Sequence, residues 1–218
     1  MAALEQETLM QFRGEGEPEG EFFLGIIETI ATSRYMQRVG AFLRQYPKVR
    51  LHVNVDTAPR LRKALAHGDI DIAILLDPYH EGERLRILHH SPSPIAFITA
   101  VDSPFANRSV CLHELVDSTW VLTQRGTNYR KKLEDDLMER QLYLRDRVEI
   151  GTSKTIIDFV AAGLGLSLLP AVTVADAVRT GHVAVIDVTD YQIDMQLQIL
   201  AADERWLPHP LALLAEDF

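Results

Sequence analysis

Cysteines and long apolar runs are both scarce in this sequence. Cys111 is the single cysteine among 218 residues, so no disulfide can form within the chain, which is usual in a reducing compartment. No apolar run reaches the roughly 18 residues that a membrane helix needs. The first ten residues also lack the basic start and apolar core of a secretory signal. We therefore expect a cytoplasmic protein without membrane contact, and a buried apolar role for Cys111.

Positive charge is also in short supply. Lysine and arginine total 22 residues against 31 aspartates and glutamates, and the formal net charge is −9. Proteins that bind nucleic acids do so with clustered lysine and arginine, and no such run is present. The strongest local bias is the acidic stretch GEGEPEGE (14–21), which predicts a solvated linker. The chain itself is therefore not expected to bind DNA.

The motifs of common enzymes and metal sites are missing as well. No P-loop or G-x-S-x-G element occurs. His89 and His90 are adjacent in a strand pattern and point to opposite faces, and the remaining histidines have no recognisable ligand spacing. The stretch FVAAGLGLSLLP (159–170) has two glycines, but a helix pattern precedes them and a strand pattern follows, the reverse of a dinucleotide fingerprint. Gly163 is placed to end that helix, and we expect neither a cofactor nor a metal.

Apolar periodicity predicts strands that alternate with helices. The strand patterns cover 22–27, 49–55, 69–76, 84–90, 94–101, 119–124, 147–151, 166–169, 182–188 and 195–202. The helical patterns cover 30–46, 58–68, 127–142, 156–164 and 171–179, with shorter ones at 1–13, 112–116 and 210–215. This alternation is typical of an α/β fold with parallel βαβ units. About ten strands are many for one open sheet, so we expect two sheets, with the chain passing between them near 97–101 and along 195–202.

Five segments, in order, resemble the effector-binding domain of the LysR-type transcriptional regulators. They are GEFFLGI (20–26), FLRQYPKVRLHV (42–53), ALAHGDIDIAIL (64–75), DSPFA (102–106) and FVAAGLGLSLLP (159–170). The resemblance extends from about residue 20 to 205. It departs from the family pattern at Ser103, where histidine is usual, at Ile27, where serine or threonine is common, and at Met36, which replaces a common proline. The last two departures suggest a more apolar pocket wall.

The resemblance implies a type 2 periplasmic-binding-protein fold, in which two Rossmann-like subdomains are joined by two crossover strands and hold the effector between them. Subdomain I would comprise residues 22–98 and 199–218, subdomain II residues 99–198, and residues 1–21 would be a linker remnant. It also implies a homodimer or tetramer. The family's winged helix-turn-helix has no counterpart in this sequence, so DNA would be contacted only through a missing N-terminal domain.

Hydroxyl side chains follow three of the predicted strands. In open α/β sheets, ligands bind beyond the carboxyl ends of strands, where helix starts offer free N–H groups. ETIATS (28–33), TQRGTN (123–128) and GTSKT (151–155) lie at such points and suit a small carboxylate or similar anion. Together with the resemblance, they predict that the effector contacts are Thr29, Ile30, Thr32, Ser33, Thr123, Gln124, Thr127, Thr152 and Ser153, above a floor of Ile98 and Thr99.

Other interpretations of these residues stay open. Serine and threonine before a helix are often simple N-caps, and one hydroxyl can cap a helix and still line a cleft. Arg125 and Arg130 could bind an anion bidentately, although a solvated surface position is the more usual one for arginine. An enzyme on the same two-lobed fold would need an acid or base, for which Glu28 and Lys154 are the candidates. A solute-binding protein is disfavoured because no signal peptide is seen, so we predict a non-enzymatic effector sensor that controls transcription.

Overall fold

The computed structural model describes residues 18–78, 85–203, 206–216 and 218. The helix predicted at 1–13 and the first half of the acidic segment 14–21 lie outside these residues. The strands are β1 (Gly20–Ile26), β2 (Val49–Val55), β3 (Ile72–Asp77), β4 (Leu85–Pro92), β5 (Ile95–Thr99), β6 (Ser109–Val110), β7 (Thr119–Thr123), β8 (Asp146–Ile150), β9 (Ser167–Pro170), β10 (Ala184–Val188) and β11 (Gln196–Ala202). The helices are α1 (Glu28–Ala31), α2 (Tyr35–Gln45), α3 (Ala58–His67), α4 (Asn128–Glu139), α5 (Ser153–Ala161), α6 (Ala171–Arg179) and α7 (His209–Glu216), with a 3₁₀ helix at Leu112–Glu114.

The first sheet has five strands in the order β2-β1-β3-β11-β4. β1 runs parallel to β2 and β3, whereas β11 runs antiparallel to β3 and β4. Every residue of β3 is buried, which explains why its sequence IAILLD is an apolar run rather than an alternating one. Helix α3 lies against this sheet through Leu61 and Leu65, both fully buried.

The second sheet has four strands in the order β6-β10-β5-β9. A parallel pair, β7 and β8, extends it through a bridge between Trp120 and Leu166. At this junction the Val121 N–H donates to the Leu166 carbonyl (2.8 Å), and the Leu166 N–H donates to the Thr119 carbonyl (2.9 Å). Trp120 is fully buried here.

The chain passes between the two sheets at residues 93–94 and 189–195. All of β5 belongs to the second sheet and all of β11 to the first, so the passages expected near 97–101 and along 195–202 were placed wrongly. Pro92 ends β4 and Pro94 lies in the first passage, and proline cannot donate to a strand ladder. The two connecting segments lie side by side, because the Ser93 N–H donates to the Met195 carbonyl (2.9 Å). Two sheets with crossing segments confirm the predicted α/β architecture, and the sheets change a few residues before the predicted subdomain limits.

The helix predicted over 30–46 is interrupted at residues 32–34. There the Thr32 hydroxyl donates to the Glu28 carbonyl (3.1 Å) and the Ser33 hydroxyl donates to the Ile30 carbonyl (2.7 Å). Such local bonds compete with the helical pattern, so α1 ends and α2 begins separately. None of the described helices is long and apolar enough to cross a membrane.

The two glycines after α5 turn the chain from helix to strand, as predicted. Gly163 has φ +77°, and a Cβ at this position would meet no heavy atom within 4 Å, so the role of the glycine is conformational. Gly165 has φ +154°, and a Cβ there would lie 2.3 Å from the Thr119 carbonyl oxygen. Gly165 therefore lets β9 approach β7, and the pair does not form a phosphate loop.

Candidate functional site

A cavity of about 270 Å³ lies between the two sheets. Its walls come from the segments that follow β1, β2, β7 and β8, with Leu76 of β3 beside them. These are carboxyl ends of parallel strands, the place where open α/β sheets bind ligands. The lining residues are Ile27, Glu28, Thr29, Val55, Asp56, Thr57, Ala58, Leu76, Thr123, Gln124, Arg125, Gly126, Thr127, Asn128, Tyr129 and Gly151.

Four predicted effector contacts line this cavity: Thr29, Thr123, Gln124 and Thr127. The hydroxyls of Thr123 and Thr127 are 2.6 Å apart, and the Thr127 hydroxyl donates to the Gln124 carbonyl (3.2 Å). Thr127 is the N-cap residue of α4, but its side chain accepts no capping hydrogen bond. The interpretation of Thr127 as a simple cap is therefore wrong, and the first N–H groups of α4 are left without that partner.

Two hydroxyls in the cavity wall are buried without hydrogen bonds. The side chains of Thr29 and Tyr129 belong to residues that are 2% and 1% exposed, and neither hydroxyl has a partner among the described residues. Burial raises the pKa of Tyr129, so the phenol stays neutral. The neighbouring Thr123 acts to lower this pKa, but the two hydroxyls do not reach hydrogen-bonding geometry. Buried polar groups are almost always paired, so each of these hydroxyls is missing a partner that the described residues do not supply.

Glu28 bridges the two sides of the cleft. Its Oε1 accepts the Ser153 backbone N–H (2.9 Å) and the Ser153 hydroxyl (3.1 Å), and Ser153 begins α5. Burial raises the pKa of Glu28, whereas the two bonds from Ser153 act to lower it. A carboxylate of the chain itself thus occupies the start of α5, where an effector anion was predicted.

Further hydrogen bonds across the cleft involve predicted contact residues. The Thr32 and Ser153 hydroxyls are 2.7 Å apart, and the Thr173 hydroxyl of α6 donates to the Thr29 carbonyl (2.8 Å). Thr152 caps α5 by accepting the Thr155 N–H (3.4 Å). The side chains of Thr32, Thr152 and Ser153 therefore make hydrogen bonds within the protein, and these residues do not line the cavity.

The remaining predicted contacts lie elsewhere. Ile30 and Ile98 are fully buried in the hydrophobic core, and Ser33 is buried on its own bond to the Ile30 carbonyl. Thr99 lines a different cavity of about 290 Å³ beside the second sheet, together with Ser103. The predicted floor is absent from the lining because β5 sits wholly within the second sheet.

The two arginines of the TQRGTNYR segment differ sharply. Arg125 lines the cavity, its side chain is 72% exposed, and it lies 3.6 Å from Glu149. Arg130 is 1% exposed and is not a surface residue: it donates to Glu149 (2.8 Å), to Glu134 (3.0 Å) and to the Thr123 carbonyl. Burial acts to lower the Arg130 pKa, but the bonds to these glutamates raise it overall. Arg130 therefore positions the end of β7 rather than binding an anion.

Several lining residues were not predicted. Asp56 and Thr57 follow β2 as Thr29 follows β1, and the sequence VDTAP carried the signal, since proline is favoured at a helix start. Tyr129 offered no signal beyond its place on the apolar face of α4. Lys154, an enzyme candidate, is exposed, pairs with Asp158 (2.9 Å) and does not line the cavity.

One group of metal-ligand side chains lies away from the cavity. Cys111, His113 and Asp190 each place a donor atom within 4.8 Å of the others. Cys111 is partly exposed, not buried as expected. The sequence did not predict that His113 lies close to Cys111 and Asp190. Asp190 already accepts the Leu112 N–H (2.8 Å), which anchors the 3₁₀ helix.

A known protein family matches nearly the whole chain. The family model of the LysR substrate binding domain matches residues 15–217. The chain belongs to the LysR substrate binding domain family. Membership of this family, together with the fold of the solved structure described below, confirms the predicted fold.

The relatives of this LysR substrate binding domain are transcriptional regulators. It is 27% identical over 216 residues to the uncharacterized HTH-type transcriptional regulator YwqM of Bacillus subtilis, covering 96% of this chain and 71% of that protein. It is 24% identical over 195 residues to the HTH-type transcriptional activator CmpR of Synechocystis, covering 88% of this chain and 62% of that protein. The regulatory domain of CcmR from Synechocystis PCC6803, solved in complex with 2-PG, has the same fold, with a TM-score of 0.78, 20% identity, and coverage of 91% of this chain and 96% of that one.

Proposed function

We propose that this domain senses a small polar metabolite in the cavity between its two sheets and thereby controls transcription by a longer protein. The observation that carries the proposal is the pair of buried, unpartnered hydroxyls on two residues that line one cavity, Thr29 after β1 and Tyr129 in α4. Burying a hydroxyl without a hydrogen-bond partner costs free energy, and a ligand that makes hydrogen bonds to both hydroxyls would remove that cost. The regulatory relatives support a role in transcription. We propose that a domain outside this sequence contacts the DNA, and that the protein acts in the cytoplasm.

Binding would act on the arrangement of the two halves. An effector changes an equilibrium only through different affinities for the two states, and contacts with both sides of the cleft would provide that difference. The cavity provides this, because Thr29 and Asp56 come from the first half and Thr127 and Tyr129 from the second. The closed arrangement is already favoured by the bonds between Glu28 and Ser153, and a ligand beside them would add to it.

The site suits binding better than catalysis. Lys154 is engaged with Asp158 outside the cavity, which leaves Glu28 as an acid or base from the predicted pair. Glu28 in turn is held by two hydrogen bonds from Ser153. We therefore propose a binding domain without enzymatic activity. We also propose that it forms a homodimer or tetramer, which light scattering after gel filtration measures; a monomer at micromolar concentration would contradict that part.

A thermal-shift screen of small metabolites tests the proposal. A true effector at 100 times its dissociation constant should stabilise the protein by about 2.7 kcal/mol. Tyr129→Phe and Thr29→Val should each weaken the best compound by about tenfold, the effect of one lost hydrogen bond to a buried group. Tyr143→Phe removes the same atom from a side chain on the surface and should leave affinity unchanged. Equal affinity in all four proteins would place the ligand site elsewhere.

A further inference from the structure

Two carboxylates face the cavity, each with one oxygen uncommitted. Glu28 uses Oε1 for both bonds from Ser153, and its other oxygen has no partner among the described residues. Asp56 uses Oδ1 to accept the Thr57 N–H (2.7 Å), with Arg60 at 3.6 Å from the same oxygen. Arg60 is 77% exposed, and a surface pair of this kind neutralises little charge. The first half of the cleft therefore presents negative charge to a ligand.

The cationic side chain of the described lining is Arg125, and it is weakly placed to offset these acids. It is largely exposed to solvent and lies 3.6 Å from Glu149, whose carboxylate also binds Arg130. An anion placed against Glu28 and Asp56 would be repelled at short range in a partly buried site. Burial raises the pKa of Glu28, because the buried carboxylate is poorly solvated. A cation close to Glu28 would stabilise its charged form, which also favours a cationic ligand group here.

The opposite wall has the reverse character. The twelve-residue helix α4 begins here with an N-cap, Thr127, whose side chain makes no capping bond. The positive end of its dipole favours a carboxylate. The buried Tyr129 hydroxyl, which lacks a partner among the described residues, lies in the first turn of the same helix and supplies a further donor. The cavity thus has an acid-rich wall and an anion-binding wall.

We propose that the effector is a zwitterion, with a protonated amine held between Glu28 and Asp56 and a carboxylate at the start of α4. This inference rests on the proposed function and assigns the chemical class of its ligand. A cavity of about 270 Å³ suits a molecule of the size of an amino acid or a small derivative. Specificity over plain acids would come from Glu28 and Asp56, which would be left unpaired by a ligand that lacks the amine.

Matched compounds separate the two ends of the ligand. The panel contains the L-amino acids, the 2-hydroxy acids in which a hydroxyl replaces each amine, and the primary amines that lack the carboxylate. We expect at least one amino acid to raise the melting temperature, and titration calorimetry to give its matched acid and amine at least about tenfold weaker affinity.

Substitutions then locate the amine. Glu28→Gln retains an amide oxygen that accepts the Ser153 bonds but removes the charge, and Asp56→Asn does the same at its site. Each should weaken the amino acid by about tenfold or more and leave the 2-hydroxy acid unchanged or tighter. Glu21→Gln, on an exposed carboxylate paired with His52 outside the cavity, is the control and should alter neither.

The outcomes separate this inference from the proposed function. A screen in which no amino acid stabilises the protein overturns the zwitterion, and so does an amino acid whose affinity survives both acid-to-amide changes. If plain acids bind instead and depend on Tyr129, the sensor function stands and the amine is wrong. If no compound of this panel binds, the zwitterion is wrong, and the sensor function is decided by the wider thermal-shift screen of small metabolites.

Discussion

Removing the Tyr129 hydroxyl should stabilise the ligand-free protein. The residue is 1% exposed, and its hydroxyl has no hydrogen-bond partner among the described residues. The nearest candidate, Thr123, is already engaged with Thr127 at 2.6 Å. Leaving a buried polar group unpaired costs about 1–3 kcal/mol, and phenylalanine keeps the ring that packs in the core. Taking the low end, Tyr129→Phe should gain about 1 kcal/mol, or about 2–4 °C in melting temperature for a domain of this size.

Urea denaturation followed by circular dichroism measures this gain, and heating gives the melting temperature. Tyr143→Phe, on a 72% exposed side chain, should stay within about 0.5 kcal/mol of wild type. The same Tyr129 variant should bind effector more weakly, so stability and affinity move in opposite directions. A loss of about 1 kcal/mol or more in Tyr129→Phe would refute the reasoning, because the hydroxyl would then have a partner that already satisfies it.

Three further predictions concern the frame of the cleft and its charge. Gly163→Ala should cost about 1–2 kcal/mol through its φ of +77°, whereas Gly165→Ala should cost about 3 kcal/mol or more, since its new methyl also meets the Thr119 carbonyl at 2.3 Å; equal costs in urea denaturation would contradict the close approach. Arg130→Met should cost about 3 kcal/mol, the low end for a broken buried charge pair because its glutamate partners reach solvent, and a loss below about 1 kcal/mol would count against that role. The raised pKa of Glu28 means that the folded state binds its proton more tightly than the unfolded chain. Wild type should therefore gain stability relative to Glu28→Gln as pH falls from neutral toward about 5, and a gain in the opposite direction would mean that the pKa is lowered.

Local pattern was enough to predict most elements of the fold. The alternating residues of 49–55 and the helical face of 171–179 give β2 and α6 with the predicted bounds. Prediction failed where side chains act on the backbone, as at Thr32 and Ser33, whose hydroxyls end α1 by bonding earlier carbonyls. It also failed at the passages between the sheets, because a strand carries the same period in either sheet.

The sequence predicted some of the residues that line the cavity and missed others. The rule that ligands bind beyond strand ends pointed to loops that meet in the structure, because Thr29, Thr123, Gln124 and Thr127 line one cavity. The rule could not reveal that Glu28 reaches Ser153 from 125 positions away in the chain and fills the start of α5. Packing between distant segments decides which hydroxyls are hydrogen-bonded within the protein and which are not. Local sequence spacing does not encode that packing.

The bond from the Ser93 N–H to the Met195 carbonyl has a mechanical consequence. Two connecting segments that are hydrogen-bonded side by side bend more easily than they shear. We therefore expect the two halves to rotate about these segments as a hinge more easily than they slide past each other. In a hinge rotation the displacement of each atom grows with its distance from the hinge, so a small closure near the connecting segments moves distant atoms further. If the domain binds a metabolite as proposed, the largest displacements are therefore expected at the surfaces farthest from residues 93 and 195.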